Sequence, residues 1–457
     1  MTDTRWPDPD GTRRVLIRGG QVMTMDERLG DFTPGEVLVQ GDTIVAVDHQ
    51  VPKDEVGEVD EVIDATGMVV LPGLVDTHIH LWQTPLRGLA SELWKGEYFE
   101  QVLPYRNRYR PDDIYAGGYA GGLELLSNGV TTALDFCHCL ASPAHSDAAV
   151  AGLMDSGMRG AHGYSLRDRP VGGFGGHAAR LTDADRVAGE IGKRGGGRVG
   201  LMLALSDRET VDLDTSVREV AFARERGLRM TIHSNFPGQI TEMNDAGLLG
   251  PDLVVVHGNV CTDDELVMLA DAGSFLSVTP AVEIGLGSPF TVLGRAFRRG
   301  VRVTWGCDIP SYVDADLFGQ LRLGFHLQGF VDGATDRAEG RTGRRRPGLP
   351  TLTPHDILRF ATRYGAAALG LDERIGSLTP GKQADLVILR TPPGGPSVCG
   401  LAAHVLLQSG ARDVDTVMVA GMTRVRGGHG PDEDMGRADE LVRDTRHHVL
   451  AEPVPAE

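Results

Sequence analysis

Four apolar runs of this chain end in side chains able to hold a metal or move a proton. The stretch "MVVLPGLVDTHIHLWQTPLRG", residues 68–88, closes on His78, Ile79 and His80. Further on, "MTIHSN" carries His233, "VVVHGN" carries His257 and "VTWGCDIP" carries Asp308. In a strand, residues i and i+2 share a face, so His78 and His80 set two imidazoles side by side. His78, His80, His233 and Asp308 together make a donor set for one divalent metal ion. Three imidazoles and a carboxylate suit zinc first and also accommodate iron or manganese. Such an ion lowers the pKa of a bound water towards neutrality and so supplies a nucleophile. Asp308 is then expected to take that water's proton, and His257 to hydrogen-bond the water or the developing oxyanion. A single histidine at a strand end is ordinarily a satisfied polar residue, and H-x-H alone is a weak pattern. Recurrence at four strand ends carries the metal reading.

Bringing four strand ends together demands a particular scaffold. Between residues 68 and 306 the sequence alternates apolar runs with helical stretches. Strands are expected at 68–78, 130–136, 157–163, 198–205, 228–233, 252–257, 274–279 and 301–306, with helices such as "DTSVREVAFARERG" and "DDELVMLADAG" between them. Eight βα units over roughly 300 residues fit a closed parallel (β/α)8 TIM barrel, whose open mouth lies at the C-terminal strand ends. Near-continuous apolar runs such as "DLVVV" suit strands buried on both faces. A doubly wound open sheet is the rival, but no GxGxxG follows an early strand. Outside the barrel, "RRVLIRGGQVMTM", "GEVLVQGDTIVAVD", "GKQADLVILR" and "VDTVMVAGMTRVRGG" read as short strands between turn residues. The expected organisation is an α/β chain. Residues 71–375 form the barrel, and residues 1–70 and 376–457 form a small composite β-sandwich domain.

Composition narrows the partners. With 457 residues the chain is long enough for one large and one smaller domain. Its 45 basic and 63 acidic residues give a net charge of −18, which disfavours nucleic acid and anionic membranes. One basic cluster, Arg341, Arg344, Arg345 and Arg346, lies in a Gly/Pro-punctuated stretch and reads as a mobile loop, with polyanion binding as a lesser alternative. Five cysteines in odd number and irregular spacing argue against a disulfide framework. There is no apolar signal-peptide core near residue 1 and no run long enough to span a bilayer. The expectation is a cytoplasmic protein with a small-molecule substrate, no nucleic-acid or membrane partner, and the option of a homodimer.

The motifs have a family look. "LPGLVDTHIHL", "NGVTTALDF", the isolated His233 and His257, "GCD", and "YGAAALGLDERIGSLTPGKQADLVILR" (364–390) together resemble the metal-dependent amidohydrolase superfamily. The likeness spans roughly residues 13–428. Its nearest branch is similar to the cytosine/guanine deaminases and the triazine hydrolases of the atrazine chlorohydrolase type. That resemblance implies hydrolysis of an amino, substituted amino or chloro group from a heterocycle, or opening of a cyclic amide or amidine. Two-metal members usually carry a carboxylated lysine at the end of strand four. Here that strand reads "RVGLMLALSD", so the resemblance implies a single metal.

One departure bears on mechanism. The deaminase branch usually has a glutamate three residues after the strand-five histidine, and this chain has His233, Ser234, Asn235, Phe236. Glu283, just past strand seven, is the candidate replacement as proton carrier; the competing reading is a solvated loop carboxylate or a helix N-terminal charge. Trp82, Gln83 and Arg87 follow the metal histidines and are substrate-binding candidates, although Arg87 is equally suited to a surface ion pair. His138, flanked by Cys137 and Cys139, is expected in the pocket in preference to a C-H-C metal site. His162 has similar standing with less support, and His326 reads as a helix packing residue. The leading function is a mononuclear metal-dependent hydrolase cleaving a C–N bond of a small heterocyclic or amidine-like substrate. Hydrolytic dehalogenation or cyclic-amide opening is the runner-up. A catalytically inactive metal-binding scaffold, which Phe236 favours, is the alternative of another class.

Overall fold

The computed structural model describes residues 11–93, 96, 98–167, 174–194, 197–288, 291–341, 350–395 and 400–452. Eight parallel strands follow one another around a barrel: β1 (Leu74–Ile79), β2 (Val130–Cys137), β3 (Arg159–Ser165), β4 (Val199–Ala204), β5 (Arg229–Ser234), β6 (Leu253–His257), β7 (Phe275–Val278) and β8 (Arg302–Trp305). The ring closes at its C-terminal rim. There Ile79 bridges Asp308, the Asp308 amide donates to the His78 carbonyl at 2.9 Å, and the His80 amide donates to the Asp308 carbonyl at 2.8 Å. The closing bonds therefore involve the very residues expected to bind metal. Leu253, Val254, Val255 and Val256 are all fully buried, because helices cover the outside of the strand and side chains fill the inside.

The outer segments form a second eight-stranded sheet. In spatial order it runs Met422–Val425, Val414–Val419, Leu386–Leu389, Val69–Pro72, Arg14–Val22, Phe32–Gln40 and Thr43–Asp48, with Glu61–Asp64 beside the start of Arg14–Val22. Alternation assigns its two faces. Leu386, Ile388 and Met418 join Val15, Ile17 and Val39 in one core, while Val387, Leu389, Val417 and Val419 join the barrel's large core. Each fully buried aliphatic side chain of this kind is worth about 1.5–3 kcal/mol. A buried ion pair ties the two sheets together: Arg159, at the start of β3, donates to both Asp385 oxygens at 2.7 and 2.9 Å.

The expected strand 68–78 is in fact two strands in two sheets. The change falls at Gly73, where a Cβ would lie 2.1 Å from Thr131 Oγ1, so the chain can turn tightly against β2 only without a side chain. The other seven barrel strands fall within two residues of their expected ends. Of the basic cluster, Arg344, Arg345 and Arg346 lie outside the described residues, while Arg341 pairs with Asp336 at 3.0 Å. Among the described residues no helix is long and apolar enough to cross a membrane.

Candidate metal centre

β1 delivers His78 and His80 to the mouth, β5 delivers His233, β6 ends on His257, and Asp308 follows β8. His257 and Asp308 take positive φ angles of 70° and 72°. Non-glycine residues rarely hold that conformation, which costs on the order of 1–3 kcal/mol and persists where the surroundings over-determine it. Here the rim hydrogen bonds of Asp308 do so.

The donor atoms converge. Asp308 Oδ1 is 3.2 Å from His78 Nε2 and 3.4 Å from His80 Nε2, and Asp308 Oδ2 is 3.8 Å from His257 Nε2. Ligand atoms of His78, His80 and His233 lie within 4.8 Å of one another, as do those of His78, His257 and Asp308. Hydrogen bonding fixes which nitrogens point inward. His80 Nδ1 faces the Phe136 carbonyl at 2.7 Å, and a carbonyl only accepts, so the proton sits on Nδ1 and the Nε2 lone pair is free. His233 Nδ1 lies 2.9 Å from Asp207 Oδ1, which frees its Nε2 in the same way. In fully buried His78, Nδ1 lacks any hydrogen-bond partner and Nε2 faces only Asp308 Oδ1, without hydrogen-bond geometry. Buried polar atoms are rarely left so, and a cation at this point supplies the missing partner. The residues fit a divalent metal.

Electrostatics agree with that fit. Burial pushes the His78 imidazole well below its ordinary pKa, keeping it neutral and able to ligate. Burial alone would raise Asp308, but His78, His80 and His257 hold its carboxyl well below the usual range. For His257, burial is outweighed by Glu283 and Asp308, and its pKa is raised.

Glu283 is buried behind His257, in the first turn of the short helix Pro280–Gly285. Its Oε1 accepts the Thr279 amide at 2.8 Å and lies 3.7 Å from His257 Nδ1, while Oε2 has no partner. The solvated-loop reading is thereby removed. Both the helix-end role and a place in the imidazole's environment stand together. Thr279 links the two ligand regions: its hydroxyl is 3.1 Å from His257 Nδ1 and donates to Asp308 Oδ2 at 3.3 Å.

The expected pocket residues divide. Trp82 Nε1 donates to His138 Nδ1 at 3.0 Å, and the His138 ring stacks on His80 with centroids 4.2 Å apart. Gln83 bonds Tyr98 at 3.0 Å and Ser311 at 2.7 Å, and Tyr98 also reaches His138 Nε2 at 3.3 Å. Trp82, Gln83, Tyr98, His138 and Ser311 form one buried wall beside the candidate metal ligands. Arg87 is elsewhere: it ion-pairs with Glu124 on the helix Pro111–Ser127. Cys139 turns its thiol to the Arg106 carbonyl, and no C-H-C metal group occurs among the described residues. His162 is buried without partners and pushed down to about 3 by burial. It shares a strand face with Tyr164, which bonds Asp183 in the helical layer, so it points away from the mouth. His326 is exposed on its helix instead of packed. Asp207, Thr279 and Tyr98 escaped the sequence reading. Asp207 ends the strand-four run "LALSD", where an aspartate looks like an ordinary turn residue.

Comparison with known proteins places the chain in a family and matches its fold. The model of the amidohydrolase family matches residues 69–424. The 5-methylthioadenosine/S-adenosylhomocysteine deaminase of Symbiobacterium thermophilum is 30% identical over 397 residues, covering 82% of this chain and 85% of that one. The 5'-deoxyadenosine deaminase of Methanothermobacter thermautotrophicus is 27% identical over 430 residues, 91% of this chain and 93% of that one. Among solved structures, a zinc-bound adenosine deaminase from Xanthomonas campestris superposes with a TM-score of 0.85 at 22% identity, covering 97% of this chain and 100% of that one. A variant of the atrazine chlorohydrolase of Arthrobacter aurescens, complexed with zinc and atraton, gives 0.77 at 22% identity, covering 95% and 100%.

Proposed function

The chain belongs to the amidohydrolase family, and on that premise we propose that it is a single-metal hydrolase releasing an amino group from a small heterocycle. The observation that carries the reading is the convergence of His78, His80, His233 and Asp308 at one barrel rim, with His257 against the same carboxylate. Zinc is the proposed ion, on the strength of the three-imidazole, one-carboxylate donor set. When bound there, a divalent metal supplies Lewis-acid polarisation and a water acidified towards neutrality.

The chain's own groups supply the rest. Asp308 Oδ2, kept ionised by the neighbouring imidazoles, accepts the proton of the attacking water and passes it on. His257 Nε2, on the far side of that oxygen, donates a hydrogen bond to the oxygen gaining negative charge. Glu283, behind His257 and Thr279, is the acid–base reserve in place of the carboxylate that Phe236 lacks. The buried Trp82–His138 pair backs His80 and excludes water from that side of the site. The names of the deaminase relatives support aminopurine nucleosides as the first substrates to try.

Phe236 favours a second reading. An amine must be protonated to leave, as must the ring nitrogen of a cyclic amide, whereas chloride leaves as it is, so a site lacking the strand-five carboxylate suits dehalogenation with the same machinery. Zinc-loaded protein incubated with aminopurine nucleosides, chlorotriazines and cyclic amides, with ammonia, chloride and ring-opened product each assayed, separates the readings. Ammonia release supports the proposal; chloride alone overturns it in favour of the second, and opened ring alone in favour of cyclic-amide opening; turnover of nothing favours the inactive scaffold. The four described cysteines are unpaired and buried, which supports a cytoplasmic, reducing location.

A further inference from the structure

Asp207 lies just beyond β4 and is buried, with one oxygen on each of two partners. Oδ1 is 2.9 Å from His233 Nδ1, and Oδ2 accepts from Arg167 NH1 at 2.8 Å. A buried carboxylate is costly unless its lone pairs are met, and here each oxygen has its own partner.

The other imidazoles of the centre are anchored differently. His80 uses a neutral backbone carbonyl, His257 a threonine hydroxyl with Glu283 further off at 3.7 Å, and His78 has no anchor. Among the described residues, His233 is the one ring of the cluster whose outer nitrogen is in hydrogen-bond contact with a carboxylate. A carboxylate on the outer N–H fixes the tautomer, locks the ring plane and makes the inner nitrogen a stronger donor. The backbone that carries the ring is also held: Gln239 Nε2 donates to the His233 carbonyl at 2.6 Å, and its Oε1 accepts the Asn235 amide at 3.0 Å.

We infer that Asp207 is a positioning residue for His233, holding its Nε2 on the metal, and that Arg167 holds Asp207 in place. Two loops, after β3 and β4, thereby control a ligand contributed by β5. Nothing in the reaction requires Asp207 to touch substrate; its effect is carried wholly by the imidazole.

The inference rests on the metal reading above, and its test separates the two. Asp207→Asn keeps the shape and an acceptor for His233 Nδ1 but removes the charge; Arg167→Gln keeps the carboxylate and removes its anchor. Zinc affinity is measured by competition with a chromogenic chelator, the visible spectrum is recorded with cobalt in place of zinc, and melting is followed on metal-free protein. The expected result for D207N is a loss of zinc affinity of about 10- to 100-fold, a changed cobalt spectrum and metal-free melting close to wild type. R167Q, at a partly exposed position, is expected to lose affinity in the same direction by a smaller factor. Wild-type zinc affinity and cobalt spectrum in both variants would overturn the inference. So would a D207N protein whose metal-free form melts far lower while R167Q binds zinc normally, since Asp207 would then serve the fold. Failure of the wild type itself to bind zinc or cobalt defeats the metal reading instead.

Discussion

The indole nitrogen of Trp82 donates to Nδ1 of His138, and that ring lies nearly flat on the ring of His80. Because an indole only donates, His138 must be the neutral tautomer with its proton on Nε2, aimed at Tyr98. Trp82→Phe removes the donor and leaves a buried acceptor unpaired, a penalty of about 1–3 kcal/mol. If that penalty falls on the pocket, kcat/KM drops about 5- to 150-fold while metal content stays at one per chain. Steady-state kinetics and elemental analysis check both halves. An unchanged kcat/KM would take the Trp82–His138 wall out of substrate recognition.

His78→Ala and Asp308→Ala each remove a donor from the centre of the cluster. Both are expected to abolish turnover and to lower bound metal well below one per chain, with the circular dichroism of the folded barrel retained. Full activity in either variant refutes the ligand assignment. Dialysis of the wild type against a strong chelator should abolish turnover likewise, and adding back zinc should restore it.

Glu283→Gln is a sharper substitution than Glu283→Ala. The amide oxygen still accepts from the Thr279 N–H, so the end of the helix Pro280–Gly285 keeps its partner. What is lost is the charge beside His257. A positioned acid–base group contributes about 10²–10⁴-fold, so kcat should fall by at least about 100-fold. A near-normal rate would leave Glu283 as a helix-end residue alone.

These residues were not equally legible beforehand. His78, His80, His233, His257 and Asp308 could be read because a barrel turns a one-dimensional signal, a polar residue at the end of an apolar run, into a spatial cluster. The same rule misplaced His162, which also lies near the end of an apolar run: strand alternation sends alternate side chains to opposite faces, and a run buried on both faces does not show which residues point inward. Asp207 was missed because an aspartate after a strand is what a turn ordinarily contains. Tyr98 sits in a stretch without helix or strand periodicity, so nothing local tied it to His138. Arg87 follows the metal histidines in sequence, yet its reach is set by Glu124 on a neighbouring helix, a tertiary contact no local pattern encodes. The break at Gly73 within one apolar run was equally hidden, since both halves are strand-like and differ only in the sheet they join.

Stability should depend on a pair remote from the chemistry. Arg159 and Asp385 are both buried, and Asp385 Oδ1 also accepts the Ala420 amide at 2.8 Å. Removing one partner strands a buried charge, so Asp385→Ala is expected to destabilise the chain by about 3–5 kcal/mol. Denaturant titration measures the loss. Zinc affinity should stay at the wild-type level, because the pair lies at the start of β3, the end of the strand opposite the mouth. A loss below about 1 kcal/mol would mean that solvent reaches the arginine once the aspartate is gone.

Gly306 offers the most local test of how the barrel rim sets the centre. It sits between β8 and Asp308, and its amide donates to the Val278 carbonyl at 3.0 Å. A Cβ at this position would lie 2.4 Å from the His78 carbonyl oxygen and 2.9 Å from the His78 Cβ. Those atoms are backbone and its first side-chain carbon, so no rotamer change relieves the clash; β1 itself must move. In Gly306→Ala the strand carrying His78 and His80 is therefore pushed away from Asp308. A displacement approaching 1 Å at reacting groups costs about 10²-fold, so kcat/KM should fall by about that factor, with zinc affinity falling too. Because the substitution adds one methyl and removes no ligand, wild-type activity in G306A would show that the rim yields without disturbing the centre, and that the tight closure between His78 and Asp308 is not what sets its geometry.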